Sequence, residues 1–174
     1  MKQLILMMML GLFFARCGND DDSDTDSDTS TDTHTDADDF FVSTWNTEND
    51  GISGDDQLTL PLVESGQYDF TVYWGDDEQD AITEWDSPDI THTYGEPGIY
   101  EVRIQGLIHG WSFLEHQLSC CKKGDSRKIL EIKSWGTLGF GETSGQFNSC
   151  TNLKITAIDV PDLEGTKSFN ATFA

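Results

Sequence analysis

From Phe40 onward, apolar and polar residues alternate in short runs broken by Gly, Asp, Asn and Pro, the pattern of half-buried strands. QLTLPL (57–62) and YDFTVYW (68–74) change sides at every residue, which sends Tyr68, Phe70, Val72 and Trp74 to one face. The stretch from Ile99 to Ile104 does the same and groups Tyr100, Val102 and Ile104, so a slip of one residue would expose all three. The expected fold class is all-β.

The pattern before Phe40 is different. Lys2 precedes the apolar run LILMMMLGLFFA, which stops at Arg16. A spanning helix needs roughly 20 apolar residues and an export signal only about 7 to 15, so the run reads as a signal for export. From Asn19 to Asp39 the chain is almost entirely Asp, Ser and Thr, without one large apolar residue. Such a segment has nothing to bury against the entropy it would lose, and like charges extend it, so residues 18–39 are expected to form a disordered spacer. Asp22, Asp24 and Asp26 echo the first ligands of a calcium loop, but Ser27 stands where the turn needs Gly and Thr33 where a bidentate Glu should close it. The expectation here is weak, nonspecific attraction of cations and no built metal site.

Charge narrows the partners. Over 174 residues, 32 Asp and Glu face 10 Lys and Arg, a formal charge of -22. That field repels nucleic acid and anionic lipid headgroups, and in an exported protein it favours solubility. Nucleic acid is therefore not an expected partner.

FFARCGN, ending the apolar run, resembles the lipobox at which bacterial lipoproteins are cut and diacylated on cysteine. The resemblance implies lipidation at Cys17, a signal peptide over 1–17 and a lipid anchor in the outer membrane or at the cell surface. Phe14 and Arg16 depart from the family's Leu and small residue, and an ordinary signal peptide beside an incidental cysteine is the alternative. YDFTVYWGDDE and DITHTYGEPGIYEVRI resemble the PKD domain, an immunoglobulin-like β-sandwich of surface and secreted proteins. The matching residues are Trp74, Gly75 and Asp76 in the first turn, His92 and Tyr94 in the middle motif, and Gly98 and Tyr100 at the last strand; Asp77 replaces the family's usual Gly. Each has a structural job: the aromatics fill a core, Gly75 permits a turn and Asp76 accepts from turn amides. The sandwich is expected over 40–118.

KILEIKSWGTLGF, QFNSCTNLKITAIDVPDL and KSFNATF resemble BspA-type leucine-rich repeats, a solenoid expected to start within 119–174. Phe147, Cys150, Leu153 and Phe173 carry the motif. TSGQF and FNATF align at an offset of 26 residues, within the 20 to 29 expected of such repeats. Asn152, Leu153, Ile155, Ala157, Val160 and Leu163 would form one rung. One coil cannot bury its own apolar face, so the repeat region is expected to be incomplete, with the last residues frayed or docked on the sandwich.

Chemistry is sparse. The chain contains no GxSxG, GxxxxGK[ST], HExxH or CxxC. His34 falls in the spacer, His92 in the PKD-like motif, and His109 and His116 flank GWSFLEH. Glu115, His116 and Asp125 could be arranged as a catalytic set but read as loop residues. Once Cys17 is lipidated, Cys120, Cys121 and Cys150 leave one thiol over, and either Cys120 or Cys121 could bridge to Cys150. The resulting expectation is a non-enzymatic surface lipoprotein for display, adhesion or binding to a protein or glycan, without cofactor or metal. The alternative is an accessory segment of a secreted protease or chitinase.

Overall fold

Side-chain alternation and turn residues together decide where each strand starts and stops. The computed structural model describes residues 40–114 and 124–174. Cys17, the 1–17 signal, the 18–39 spacer, His34, Glu115, His116, Cys120 and Cys121 lie outside the described residues. β1 (Phe41–Asn46) buries Phe41, Ser43 and Trp45 and leaves the residues between them half-buried. β2 (Gln57–Thr59) and β3 (Leu62–Tyr73) follow. The expectation of one strand over 57–62 is thereby corrected. Pro61 has no N–H to give a ladder, and the Leu60 amide turns instead to Ile90 O at 2.9 Å.

After β4 (Gln79–Ile82) comes a single 3-10 turn, Pro88–Ile90, capped by Ser87. β5 (Thr91–Thr93), β6 (Ile99–Trp111), β7 (Ile129–Ser134), β8 (Leu138–Gly139) and β9 (Lys154–Ile155) complete the order. β6 runs well past Ile104 because Gly106 and Gly110 hide the alternation without ending the strand. Both have positive φ, 117° and 122°, and a β-carbon on Gly106 would sit 2.5 Å from Asp69 O.

One sheet has the order β4-β3-β6-β1-β7-β9, with β8 pairing β6 off that path; β2 and β5 form a second, two-stranded sheet. Among the described residues the only helical piece is the 3-10 turn, so the fold is all-β. β3 and β6 run antiparallel with Phe70 opposite Gly106 and Val72 opposite Ile104. Their register shifts between Leu62 and Gln67, and Tyr68 holds that irregularity: its hydroxyl accepts from Val63 N at 2.8 Å and lies 3.0 Å from Val63 O and 2.8 Å from Gly110 O, either of which takes its proton.

The inward faces meet in one core that includes Trp45, Trp74, Trp111, Leu58 and Ile104, and it continues to Phe147. Both expected strand faces hold: Tyr68, Phe70, Val72 and Trp74 are buried together, and Val102 and Ile104 are buried with Tyr100 packed against them. The expected boundary at 118/119 falls outside the described residues. On its far side, β7 pairs with β1 in the antiparallel sense and β8 with β6 in the parallel sense, so the sheet begun before residue 115 is extended by residues after 123.

Past β7 the chain stacks on itself in parallel. Glu131 pairs with Lys154, Ile132 with Ile155 and Gly139 with Asp162. Further on, Gly145 N donates to Asn170 O, Phe147 N to Thr172 O and Ser149 N to Ala174 O, at 2.8–2.9 Å. The 26-residue offset seen in the sequence is thus a contact: the Phe147 and Phe173 rings stack 5.6 Å apart at 8°, and Thr172 Oγ1 donates to Gln146 Oε1. Asp159 clips the upper turn to the lower one, its Oδ2 accepting from Ser134 Oγ, Trp135 N and Gly136 N. Of the expected rung, Leu153 and Ala157 pack on the core, whereas Ile155, Val160 and Leu163 are exposed.

Candidate functional site

Strand β3 ends by delivering Trp74 into the core and turning sharply toward β4. Gly75, at φ 91°, makes the turn possible, since a β-carbon there would lie 2.6 Å from Glu101 O. Asp77 also has positive φ, at 71°; short polar residues enter this region more readily than most. Trp74 N donates to Glu78 O, and its indole Nε1 to Asp80 Oδ2 at 2.8 Å, so both its polar groups are engaged within the hairpin.

Asp76 faces two ways. Its Oδ1 accepts from Glu78 N, and its Oδ2 lies 2.8 Å from His92 Nε2. A carboxylate only accepts, so this bond puts the His92 proton on Nε2. The His92 ring lies flat on Trp74, with centroids 4.8 Å apart, and meets Tyr94 edge-on at 4.5 Å. Tyr94 then stacks on Tyr100 at 3.8 Å and donates its hydroxyl to Trp74 O. Burial, reinforced by Asp76 and Tyr100, pushes the Tyr94 phenol well above the usual tyrosine range. Gly98 is tied to Thr47 by bonds in both directions.

The structure brings Trp74, Asp76, His92, Tyr94 and Tyr100 into one column. A histidine on a carboxylate is the usual start of acid–base chemistry, yet here the imidazole is closed in by two aromatic rings and is 6% exposed. What the arrangement does is pin the β3–β4 turn to β5 and β6. No protein-family model, no curated protein sequence and no solved structure matches this chain. Among the described residues, no group of three His, Cys, Asp or Glu is placed to hold a metal ion.

The repeat-motif residues gather elsewhere, at the C-terminal end of the stack. Phe147 is buried among Phe113, Trp135 and Phe140, with Phe173 on its outer side. Cys150 is a free, half-buried thiol lying 3.8 Å from Asn148 O, and burial pushes its pKa upward. With Leu153, Ile155 and Phe173 it lines a groove of about 330 Å³. His109 rests its Nε2 3.2 Å from Glu164 O.

Asp125, set beside Glu115 and His116 in the sequence reading, is fully buried in a clamp that the sequence did not announce. Its Oδ1 accepts from Ile52 N at 2.7 Å and Ser53 N at 3.1 Å, its Oδ2 from Ser53 Oγ at 2.6 Å and Thr59 N at 2.7 Å. Lys128, also fully buried, sends its ammonium to Ser53 Oγ, Gly54 O and Gln57 O at 2.6–2.9 Å. Burial holds that ammonium below the usual lysine range against the upward pull of Asp125, Asp55 and Asp56. The one local cue was Gly51: a side chain there would overlap the Asp125 carboxylate.

Proposed function

We propose that this chain is a non-enzymatic surface lipoprotein, anchored through Cys17, in which the 18–39 spacer carries a PKD-like sandwich and the start of a BspA-type leucine-rich-repeat solenoid, and that it works by adhesion or macromolecular binding. The observation that carries the reading is the parallel ladder between residues 131–149 and 154–174, with Phe173 stacked on Phe147. Chains that stack coil on coil build extended surfaces suited to protein or glycan ligands. The polar groups of the His92 column and of the Asp125 clamp are spent on holding loops together, which supports a role in display over one in catalysis.

The test is whole-cell binding. Cells displaying the full chain, and cells carrying Cys17→Ser, are passed over immobilised matrix proteins and glycans while palmitate incorporation is followed. The expected result is palmitate on the chain and retention of cells, both lost with Cys17→Ser. Retention unchanged by the substitution, or no retention on any surface, would count against the proposal.

A further inference from the structure

β4 is the first strand of the sheet order, and among the described residues it pairs with β3 alone. Trp74 N donates to Glu78 O, and bonded positions alternate along an antiparallel ladder, so Asp80 and Ile82 also turn their backbone groups toward β3. The N–H and C=O groups of Gln79 and Ala81 therefore point away from the sheet. Sheets usually guard such an edge with a lysine, a proline, a bulge or a covering loop. β4 has none of the first three: its sequence is QDAI, its register with β3 is unbroken, and Gln79 and Ala81 are exposed and uncharged.

Charge selects what can add to that edge. From Glu64 to Glu101 the chain has eleven acidic residues and no Lys or Arg. Asp76 and Asp80 are spent inside the fold, on His92 and on the Trp74 indole. Asp77 and Glu78 before β4, and Glu84 and Asp86 after it, are exposed, and among the described residues no ion pair engages them. Carboxylates thus stand at both ends of the open strand. A second copy meeting β4 edge to edge would set this field against itself, and an acidic peptide would meet the same repulsion. An extended segment with basic residues on either side of its pairing stretch gains the backbone bonds and the opposite charge together.

We propose that the β4 edge is a docking site for an extended, lysine- or arginine-rich segment of another protein, which joins the sheet as a further strand through the backbone of Gln79 and Ala81. The proposal rests on the reading of this chain as a binding protein, and it names the chemistry of one partner.

Synthetic peptides test it on the full chain carrying Cys17→Ser. One has paired lysines flanking an alternating valine–threonine centre; its twin is N-methylated throughout that centre, which keeps the charge and removes the backbone donors; a third carries glutamates in place of the lysines. Calorimetry gives the affinities and amide hydrogen exchange the location. The acid-rich residues 18–39 attract both lysine peptides alike, so the difference between the twins is the measure. The expected result is slowed exchange at Gln79 and Ala81 with the unmethylated lysine peptide alone, and binding about tenfold tighter than that of its twin. Ala81→Pro removes one outward donor at an edge position where proline is tolerated, and should abolish that advantage. Glu78→Gln combined with Glu84→Gln keeps every backbone group and should weaken the same peptide several-fold. Equal affinity for the two lysine peptides, equal binding of the glutamate peptide, or protection that spares residues 79–82 would each overturn the proposal. Protection of Gln79 and Ala81 without any peptide would put a second copy on the edge and overturn it as well. Cells retained on a matrix surface by a chain whose β4 edge stays unprotected would remove this site and leave the binding reading standing.

Discussion

Replacing Asp125 with alanine is expected to cost about 3–5 kcal/mol of folding stability, the loss seen when one partner of a buried charged pair is removed. Three backbone amides, those of Ile52, Ser53 and Thr59, would lose the carboxylate they donate to in this part-buried site. Each buried donor left unmet costs roughly 1–3 kcal/mol. The Lys128 ammonium would stay buried without the carboxylate that reaches it through Ser53 Oγ. A fully exposed carboxylate would give an effect near zero, so the magnitude itself tests the clamp. Lys128→Met is expected to be costly as well, because it strips the carbonyls of Gly54 and Gln57 of their donor. The double variant should lose less than the two single variants together, since removing both charges leaves neither stranded. Urea unfolding followed by tryptophan fluorescence measures all three. A loss below about 1 kcal/mol for Asp125→Ala would show that the 51–59 loop does not depend on this contact.

Raising the pH above 10 is expected to destabilise the fold steeply. Burial pushes the Tyr68 phenol from 10.0 up to about 12, and Tyr94 is shifted in the same direction. Below pH 10 both phenols are protonated in the folded and unfolded chains, and they leave stability independent of pH. Above it the unfolded chain releases protons that the folded chain must keep, so stability falls as pH climbs toward 12. For Tyr68 alone the full loss is about 2–3 kcal/mol, at about 1.4 kcal/mol per pH unit. Cys150, also raised by burial, acts in the same sense from pH 9 upward. Lys128 acts oppositely, because its lowered pKa makes stability rise as pH approaches 10.5, and that contribution is complete by then. The fall between pH 10.5 and 12 therefore belongs mainly to the buried tyrosines. Unfolding midpoints at pH 9, 10.5 and 11.5, with Tyr68→Phe as the comparison, measure it. A midpoint that stays level across this range would contradict the burial of both phenols.

Local periodicity explains which parts of the fold were legible. The faces of β3 and β6 were readable because Tyr68, Phe70, Val72 and Trp74, and then Tyr100, Val102 and Ile104, each repeat every second residue. The turn roles of Gly75 and Asp76 were readable from their own chemistry, but the column that joins Asp76, His92, Trp74, Tyr94 and Tyr100 was not, because it is assembled from three separate stretches of the chain. The 26-residue offset was readable, but its meaning was not: the last residues were expected to be frayed or docked on the sandwich, and Phe173 instead stacks on Phe147. The pairing of β7 with β1 was not readable, because a partner chosen from more than eighty residues away leaves no local pattern in either strand. Asp125 and Lys128 were missed for a related reason: each looks like an ordinary surface charge until the 51–59 loop closes over it. Val160 and Leu163 were assigned to a rung by their apolar character alone. Whether such residues face inward depends on a neighbour on their outer side, and in this structure they are exposed.

The account depends most on the parallel coil ladder, and amide hydrogen exchange at Gly145, Phe147 and Ser149 tests it most directly. Those three amides donate to Asn170, Thr172 and Ala174. With the coils stacked, all three exchange far more slowly than free peptide, and Phe173→Ala speeds Phe147 more than it speeds Val72 in the sheet core. Exchange at free-peptide rates at these positions, beside a protected Val72, would show that residues 154–174 do not stack on the coil before them and would contradict the account.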